Sequence, residues 1–252
     1  MAWQYRTLAN MATQLQIVNN VLERLREDTV SSVTDNSYSK LIAMFVNDAI
    51  QDIEDYNHEW SVYITEIDTT ITPGTTSYDL TATTDRSWLM RDPEDDKRPL
   101  AFDVTTGDKR QLMDYSYKAV LKELALAGSN TTHADPQVFA LRADTDGRGW
   151  TLEMLWGLDA GESDHTWRSY WYVPQGELAR DGTADSTEVL LPNRIVELRA
   201  VFYALNERGE EMGTFNGIAD KRSTDAIAAA METDATIQQR IAELDMTNRE
   251  NI

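Results

Sequence analysis

The first 60 residues carry apolar side chains at helical spacing. After Thr13, apolar residues recur every three or four positions, which predicts an amphipathic helix with Leu15, Val18, Leu22 and Leu25 on one side. Thr13 and Gln16 have the spacing of a capping box, so the helix should begin at this point. A second stripe follows the polar linker "VSSVTDNS" and predicts another helix, with Tyr38, Leu41, Ile42, Phe45, Ala49, Ile53, Tyr56 and Trp60 on one face. The two helices could pack as a hairpin.

After residue 61 the pattern changes to short β-rich runs. The runs "VYITEIDTTIT" and "TTSYDL" are separated by Pro73-Gly74 and predict a pair of strands. "QVFALRA" and "GWTLEMLW" flank a glycine-bearing turn and predict a hairpin, with Trp150, Leu152, Met154 and Trp156 alternating with Thr151, Glu153 and Leu155. The charged stretch "RDPEDDKRP" indicates an exposed long loop. "DYSYKAVLKELA" has helical spacing at Tyr117, Val120, Leu121 and Leu124, which predicts one helix beside the strands.

The stretch "TWRSYWYVP" has aromatic rings on both faces of a predicted strand. Alternation puts Trp167 and Trp171 on one face, and Tyr170 and Tyr172 on the other. An exposed platform that stacks a ligand would need rings on one face only. Burying one large ring contributes at most roughly 4–6 kcal/mol, so leaving four exposed is unfavourable. We therefore expect a strand covered on both sides, by a core between sheets on one side and by a helix or a neighbouring subunit on the other.

Helical spacing returns after Leu191-Pro192. Asn193 is available as a cap, and the following stripe consists of Ile195, Leu198, Phe202 and Leu205. The last segment, "DAIAAAMETDATIQQRIAELDM", is rich in strong helix formers, and one side of the predicted helix carries Ile227, Met231 or Ala230, Ile237, Ile241 and Leu244.

The order of helices, strands and helices predicts an α+β fold. We expect a helical bundle formed by the N- and C-terminal segments with an inserted β-sandwich-like domain. The bundle would comprise residues 1–60 and 187–252, and the β domain residues 61–186 with one side helix. The predicted structural core of the whole chain includes Leu22, Phe45, Trp60, Trp150, Trp167, Trp171 and Phe202.

The composition narrows the classes of function. The chain has 23 Lys and Arg against 43 Asp and Glu, a formal charge of −20 that is spread along the sequence. Such a surface repels phosphates, which argues against a protein that grips nucleic acid. There is no cysteine, which excludes disulfides, thiolate metal sites and cysteine nucleophiles. The sequence "MAWQYRTLAN" does not have the pattern of a secretory signal, and no apolar run is long enough for a membrane helix, so we expect no membrane contact.

Candidate catalytic and metal-binding motifs are weak. His58, His133 and His165 stand far apart without ligand spacing. Asp144, Asp146 and Gly149 match three positions of a calcium loop, but Arg148 and Leu155 occupy positions that need oxygen ligands, so a hairpin turn is the better interpretation. No nucleophile elbow, P-loop or dinucleotide fingerprint is present. We expect no enzymatic activity, no metal site and no cofactor.

An ordered series of motifs resembles the head-to-tail adaptor of short-tailed bacteriophages, also called tail tubular protein A. "LQIVNNVLERLREDTVSSV" is similar to that family's first helix and the "VxSL" loop after it. "VNDAIQDIEDYNHEWSVYITEIDTTITPGTTSYDL" resembles the helix that leads into the first strands. "DPQVFAL", "GWTLEMLWGLD", "WRSYWYVPQGEL" and "STEVLLPNRIVELRAVFYALNERGE" resemble the later strands and the helix that opens at the "LP" dipeptide. The series covers nearly the whole chain, but "RDPEDDKRP" and "AGSNTTHAD" match nothing in it.

This resemblance implies a structural virion protein. Its subunits would form a dodecameric ring, assembled in the host cytoplasm, that docks under the portal protein and receives the tail nozzle protein, and it leaves open whether tail fibres attach. DNA would pass through the lumen without specific binding, which agrees with an acidic wall. The family likeness assigns the portal-facing role to the C-terminal end, at Ile241, Leu244, Met246, Arg249 and Ile252. Two alternatives remain open: a connector or completion protein of a long-tailed phage, and a carbohydrate-binding or glycan-cleaving β-sandwich protein.

Overall fold

The computed structural model shows a mixed α+β fold. It describes residues 11–56, 58–80, 82–84, 86–92, 95–105, 110–127, 132–133, 136–144, 149–209 and 214–250, and within these ranges it leaves out the side chains of 95–97, 124, 127, 133, 214–216 and 240–250. The chain forms two compact units. A helical unit contains residues up to 62 and from 175 onward, and a β unit contains residues 63–174.

Five helices are present in the described part of the chain: α1 (Gln14–Arg24), α2 (Ser37–Glu54), α3 (Tyr117–Ala127), α4 (Asn193–Glu207) and α5 (Thr214–Glu250). The capping box predicted for α1 is confirmed. The amide of Gln16 donates to Thr13 Oγ1 at 3.3 Å, and the amide of Thr13 donates to Gln16 Oε1 at 2.9 Å. Asn36 caps α2 in the same way, because its Oδ1 accepts from the amide of Ser39 at 2.7 Å. Local hydrogen bonds thus define where both helices start.

Helix α2 is shorter than its apolar stripe predicts. It ends at Glu54, so Tyr56 and Trp60 lie beyond it. The last carbonyls of a helix have no partner inside the helix. The indole of Trp60 donates to one of them, the carbonyl oxygen of Ile53, at 3.4 Å, and Trp60 is buried. The chain therefore folds back onto the end of α2 instead of continuing the helix.

The buried face of α4 differs from the predicted stripe. Ile195, Val196, Ala200 and Ala204 are the buried apolar residues, whereas the other three stripe residues, Leu198, Phe202 and Leu205, are half-buried. The reason is that α4 contacts three helices, α1, α2 and α5. The small alanine side chains permit close approach of neighbouring helices. The face of α4 that is most deeply buried is therefore not the face with the largest side chains.

Residues 175–191 belong to the helical unit, although the sequence analysis assigned residues up to 186 to the β domain. The amide of Gln14 on α1 donates to the carbonyl of Thr187 at 2.9 Å. The side chain of Asn47 on α2 makes two hydrogen bonds to the backbone of Leu178, at 2.9 and 3.1 Å. This segment has no helical or strand periodicity of its own, so only its partners on α1 and α2 determine where it lies.

The β unit contains two larger sheets. A five-stranded sheet has the order β1-β13-β6-β7, with β3 also paired to β13, and a four-stranded sheet has the order β2-β11-β10-β8. Two further pairs are β12 with β9 and β4 with β5. The strand bounds are β1 Ile64–Ile71, β2 Ser77–Leu80, β3 Trp88–Leu89, β4 Arg91–Asp92, β5 Asp95–Pro99, β6 Ala101–Asp103, β7 Arg110–Gln111, β8 Met113–Asp114, β9 Thr132–His133, β10 Val138–Ala143, β11 Trp150–Met154, β12 Gly157–Leu158 and β13 His165–Tyr172.

The strand pairing partly differs from the expected pairing. The hairpin of β10 and β11 is confirmed, with Leu141 opposite Leu152. The expected pair of β1 and β2 is wrong, because β1 pairs with β13 and β2 pairs with β11. Gly74, at φ 77, turns the chain between them in a conformation that suits glycine. The stretch "RDPEDDKRP" contains the antiparallel pair β4 and β5 and is not simply a long loop.

One hydrophobic core lies between the two larger sheets. The five-stranded sheet contributes Trp167 and Trp171 to it, and the four-stranded sheet contributes Phe139, Leu152 and Met154. Helix α3 covers the other face of the four-stranded sheet, where Val120 packs with Val138 and Ala140. The central strand β13 therefore has its tryptophans inside the core.

Candidate interaction surfaces

The seven predicted core residues fall into two groups. Trp60, Trp167 and Trp171 are 1% exposed, and Leu22 and Phe45 are also buried. Trp150 and Phe202 are half-buried; Trp150 packs against the edge of the core between the sheets, and its indole donates to the carbonyl of Ser87 at 2.8 Å. A partly exposed indole with its donor satisfied is typical of a ring at the rim of a core.

The inward face of β13 is held by both packing and hydrogen bonds. The indole of Trp171 donates to Ser169 Oγ at 2.9 Å, and Ser169 Oγ donates to the carbonyl of Ile67 on β1 at 3.3 Å. Trp150 lies 6.5 Å from Trp171 between ring centroids. Because these groups are buried, the rings of Trp167 and Trp171 belong to the core and do not contact solvent.

The outward face of β13 carries an ion-pair cluster. Arg168 donates to both carboxylate oxygens of Asp68 on β1 at 2.8 Å, and it lies 3.0 Å from Glu66 Oε1. The hydrogen bond between the two side chains raises the pKa of Arg168 and lowers that of Asp68. Burial raises the pKa of the half-buried Tyr170 hydroxyl in the same cluster. A bidentate pair of this kind fixes the register of β1 against β13.

Trp88 is the exposed ring on this outward face. It stacks on Tyr172 with centroids 4.1 Å apart and an interplanar angle of 20°, and 42% of its surface is exposed. Tyr63 contacts Tyr172 edge-on at 5.6 Å. Tyr172 is thus buried between two rings. Both faces of β13 are covered at this end of the strand, and one face of Trp88 remains accessible.

Asp103 on β6 forms a buried polar cluster with the start of β13. His165 Nδ1 lies 2.7 Å from Asp103 Oδ2, and the amide of Thr105 donates to Asp103 Oδ1 at 3.0 Å. Desolvation favours the neutral acid, but the hydrogen bonds from Thr105 and His165 outweigh it, so the pKa of Asp103 is lowered. The cluster therefore stabilises the folded state while Asp103 is charged.

Replacing Asp103 should reveal how the contribution of this cluster to stability depends on pH. A carboxyl whose pKa is lower in the folded state contributes stability above its ordinary pKa, near about 4, and loses it as pH falls through the folded value. We expect Asp103→Asn to lower the free energy of unfolding most at neutral pH, with a difference from wild type that narrows as the pH falls below about 4. Urea unfolding at a series of pH values measures this gap, and a gap that stays constant down to pH 2 would contradict the assignment.

In the helical unit, Asp234 of α5 is a buried acceptor with several donors. Its carboxylate receives the amide of Ser61 at 3.1 Å and the side-chain amide of Gln238 at 2.8 Å, and it contacts His58 Nε2 at 3.0 Å. The Ser61 hydroxyl donates to its other oxygen. His58 also packs edge-on against Trp60 at 4.6 Å between centroids. The residues that follow α2 are thereby fastened to α5.

Two charged residues on α4 connect the other helices. Glu197 is 6% exposed and accepts from Asn20 and Arg24 of α1, both at 2.7 Å. Arg199 donates to Asp52 of α2 at 2.6 Å and to Asp220 of α5 at 3.1 Å. Both charged side chains thus have hydrogen-bonded partners, which offset the cost of removing a charge from water.

A shallow polar groove of about 560 Å³ lies beside the end of α4. Arg208 donates to Tyr38 Oη at 2.8 Å and to Glu27 Oε1 at 2.6 Å within it. Its lining consists of Leu22, Glu27, Asp28, Asn36, Ser37, Tyr38 and Arg208. Since the guanidinium already has partners inside the protein, the groove offers no free cation to a ligand.

Four of the proposed portal-facing residues lie on the α5 backbone: Ile241, Leu244, Met246 and Arg249. Their side chains, and Ile252 entirely, lie outside the described residues. Their role stays a prediction.

Among the described residues, no group of three or more His, Asp or Glu side chains could hold a metal ion. Of the calcium-loop candidates, Asp146 and Arg148 lie outside the described residues, as does the side chain of His133. No described helix has the length and apolar character required to cross a membrane. The chain matches no protein-family model, and no curated protein matches it.

The helical periodicity of the last segment could have predicted that Asp234 is buried, but the sequence analysis did not identify this residue. The predicted stripe of the last helix includes Ile227, Met231 or Ala230, and Ile237, and Asp234 falls on the same stripe. Within α5, Ile227 and Asp234 are buried. A carboxylate on an apolar stripe needs hydrogen-bond donors, so its position predicts a polar cluster. The identity of the donors, His58 and Ser61, cannot be read from that spacing.

Proposed function

We propose that this chain is a head-to-tail adaptor of a short-tailed bacteriophage, a structural virion protein that forms a ring between portal and tail nozzle. The observation that carries the proposal is the order of its parts. Segments from both sides of the sequence build one helical unit, and the β unit, residues 63–174, is inserted between them. This is the arrangement that the family resemblance implies. The proposed role requires no catalysis and no cofactor.

The finer architecture proposed is a helical bundle with an inserted β-sandwich. In favour of the bundle, α4 packs against α1, α2 and α5. In favour of the sandwich, the five-stranded and four-stranded sheets share one core. Face-to-face packing of two mainly antiparallel sheets around such a core is the defining property of this architecture.

The charge supports passage of DNA through the ring without binding. With a formal charge of −20, each subunit repels phosphates, and a ring of such subunits would repel them from all sides. The proposed portal-facing end is the last part of α5. This helix has 37 residues, which corresponds to about 55 Å at 1.5 Å per residue, so it is long enough to present one end to a partner.

The mass of the protein, measured with and without the portal protein of the same virus, tests this function. We expect a species of about twelve copies on the portal in native mass spectrometry, and a ring in electron micrographs of the mixture. The portal must be included, since an adaptor can stay monomeric until it meets the portal.

The opposite outcome would be a stable monomer that ignores the portal. If such a monomer bound glycans on an array, the carbohydrate-binding alternative would replace the adaptor. If the protein instead assembled on the connector of a long-tailed phage, the completion-protein alternative would replace it.

A further inference from the structure

Exposed apolar side chains concentrate on one surface of the β unit. Of the six large apolar residues that are exposed in the described ranges, four lie between Met113 and Leu126. Their exposed fractions are 47% for Met113, 51% for Tyr115, 47% for Leu121 and 71% for Leu126. Single exposed apolar residues need no explanation, but a cluster on one surface marks a site of interaction.

The backbone brings these residues to the same side of the four-stranded sheet. Met113 is paired with Val138, whose side chain packs under α3, so Met113 faces the same side as the helix. Tyr115 follows just beyond the end of β8 and is exposed. Helix α3 starts directly afterwards at Tyr117. Met113 and Tyr115 therefore lie next to the first turn of α3.

The solvent side of α3 combines leucine with lysine. At about 100° per residue, Leu121, Lys118, Lys122 and Leu126 fall within an arc of about 140°, and Val120 and Tyr117, which pack on the sheet, fall outside it. Glu123 also falls outside this arc. Ala125 falls in the same arc, and all five residues of the arc are exposed. We call Met113, Tyr115, Lys118, Leu121, Lys122 and Leu126 the α3 patch.

The lysines of the α3 patch have no carboxylate partner in the described part of the chain. The ion pairs found there involve arginines and histidines and neither Lys118 nor Lys122. The α3 patch is thus a cationic and apolar surface on a chain of formal charge −20. The complement to such a surface is an acidic one with apolar contacts.

We infer that the α3 patch is the contact by which one subunit docks onto the acidic surface of a second copy of this chain. This inference rests on the proposed function, which requires the copies to associate, and names the surface through which they do so. If two α3 patches faced each other, their lysines would come close together and repel. The contact therefore joins two different surfaces, and a head-to-tail contact of this kind forms a ring when the rotation between successive copies closes.

Paired variants test the inference by assembly on the portal. We expect Leu121→Asp and Lys122→Glu each to raise the protein concentration needed for half-assembly by about tenfold or more, because each places a negative charge against an acidic surface. Added salt should weaken wild-type assembly, since the attraction is screened. Ile218→Asp on α5 is the matched control, because Ile218 has the same 47% exposure as Leu121, and it should assemble like wild type.

A cross-link identifies the partner directly. The chain has no cysteine, so Leu126→Cys labelled with a photoreactive maleimide places one probe in the α3 patch. We expect a product with the mass of two copies, with the adduct on an acidic segment of the second copy. Cross-links to the portal alone, or none in an assembled ring, would overturn the inference.

The outcomes separate the two proposals. If wild type assembles with the portal and both α3 patch variants assemble equally well, the α3 patch is not the contact, while the adaptor function stands. If the control loses assembly to the same extent as the variants, the loss is not specific and the inference fails as well. If wild type stays monomeric with the portal, both proposals fail. Unfolding by urea, followed by circular dichroism, shows for each variant that α3 and its unit are folded.

Discussion

Replacing Trp171 by alanine lowers the free energy of unfolding by about 3–5 kcal/mol, which is the range for removing a large buried ring from a packed core. Trp171 is 1% exposed and lies among side chains of both larger sheets. Its indole also donates to Ser169, whose hydroxyl bonds β1. The substitution therefore leaves a cavity and disturbs the link between β13 and β1. Urea unfolding followed by circular dichroism measures the effect.

Trp88→Ala is the matched control for this prediction. Trp88 is 42% exposed and stacks on Tyr172, so its loss should cost only about 1–2 kcal/mol. If Trp171→Ala unfolded like wild type but lost binding of a ligand, the ring would belong to a binding site and not to the core. A smaller effect for Trp171 than for Trp88 would contradict the burial of the two rings.

Replacing Asp234 by alanine should lower the free energy of unfolding by about 2–4 kcal/mol. The change removes one buried acceptor and leaves the donors of Ser61 and Gln238 without it, at a site where water is largely excluded. The contact with His58 is lost at the same time. We expect the link between α5 and residues 58–61 to loosen first, which hydrogen exchange of the Ser61 amide measures.

Asp225→Ala provides the control on the same helix. Asp225 is exposed, so the change should alter the free energy of unfolding by no more than about 0.5 kcal/mol. A double-mutant cycle with His58→Ala then isolates the pair. We expect a coupling of about 1 kcal/mol or more between His58 and Asp234. If the free-energy costs of the two single substitutions simply added up in the double variant, the two side chains would not interact in solution.

Local patterns predicted the two helices at the start of the chain, although the stripe of the second one ran past its end at Glu54. The capping box at Thr13 and Gln16 and the two apolar stripes are properties of residues three or four positions apart. The alternation in β11 correctly placed Leu152 and Met154 in the core, because period-two spacing is equally local. It was wrong for Trp156, which lies beyond the strand and packs on the α3 side of the sheet, and Thr151 on the opposite face is buried as well. The stripe of α4 was less informative. A helix that contacts three others is covered on several sides, and its position is then set by small residues such as Ala200.

Pairing between strands could not be predicted from local spacing. Pro73-Gly74 indicates a turn, but a turn alone does not decide whether the strands beside it join one sheet or two. The partner of β1 is β13, about a hundred positions away in sequence. Local spacing was equally unable to predict the candidate surfaces. The spacing in α3 predicted Leu121 on the apolar side of the helix, whereas the fold leaves Leu121 47% exposed.

From the sequence come the acidic charge, the absence of cysteine, the order of helices and strands, and the placing of aromatic rings on both faces of β13. These are set by composition and by the short periods of helix and strand. Only the tertiary structure decides that β1 and β2 join different sheets, that Asp234 receives His58 and Ser61, and that residues 175–191 lie along α1 and α2. Such contacts join residues far apart in the chain, and a local period specifies which side of an element is apolar but not which element will cover it.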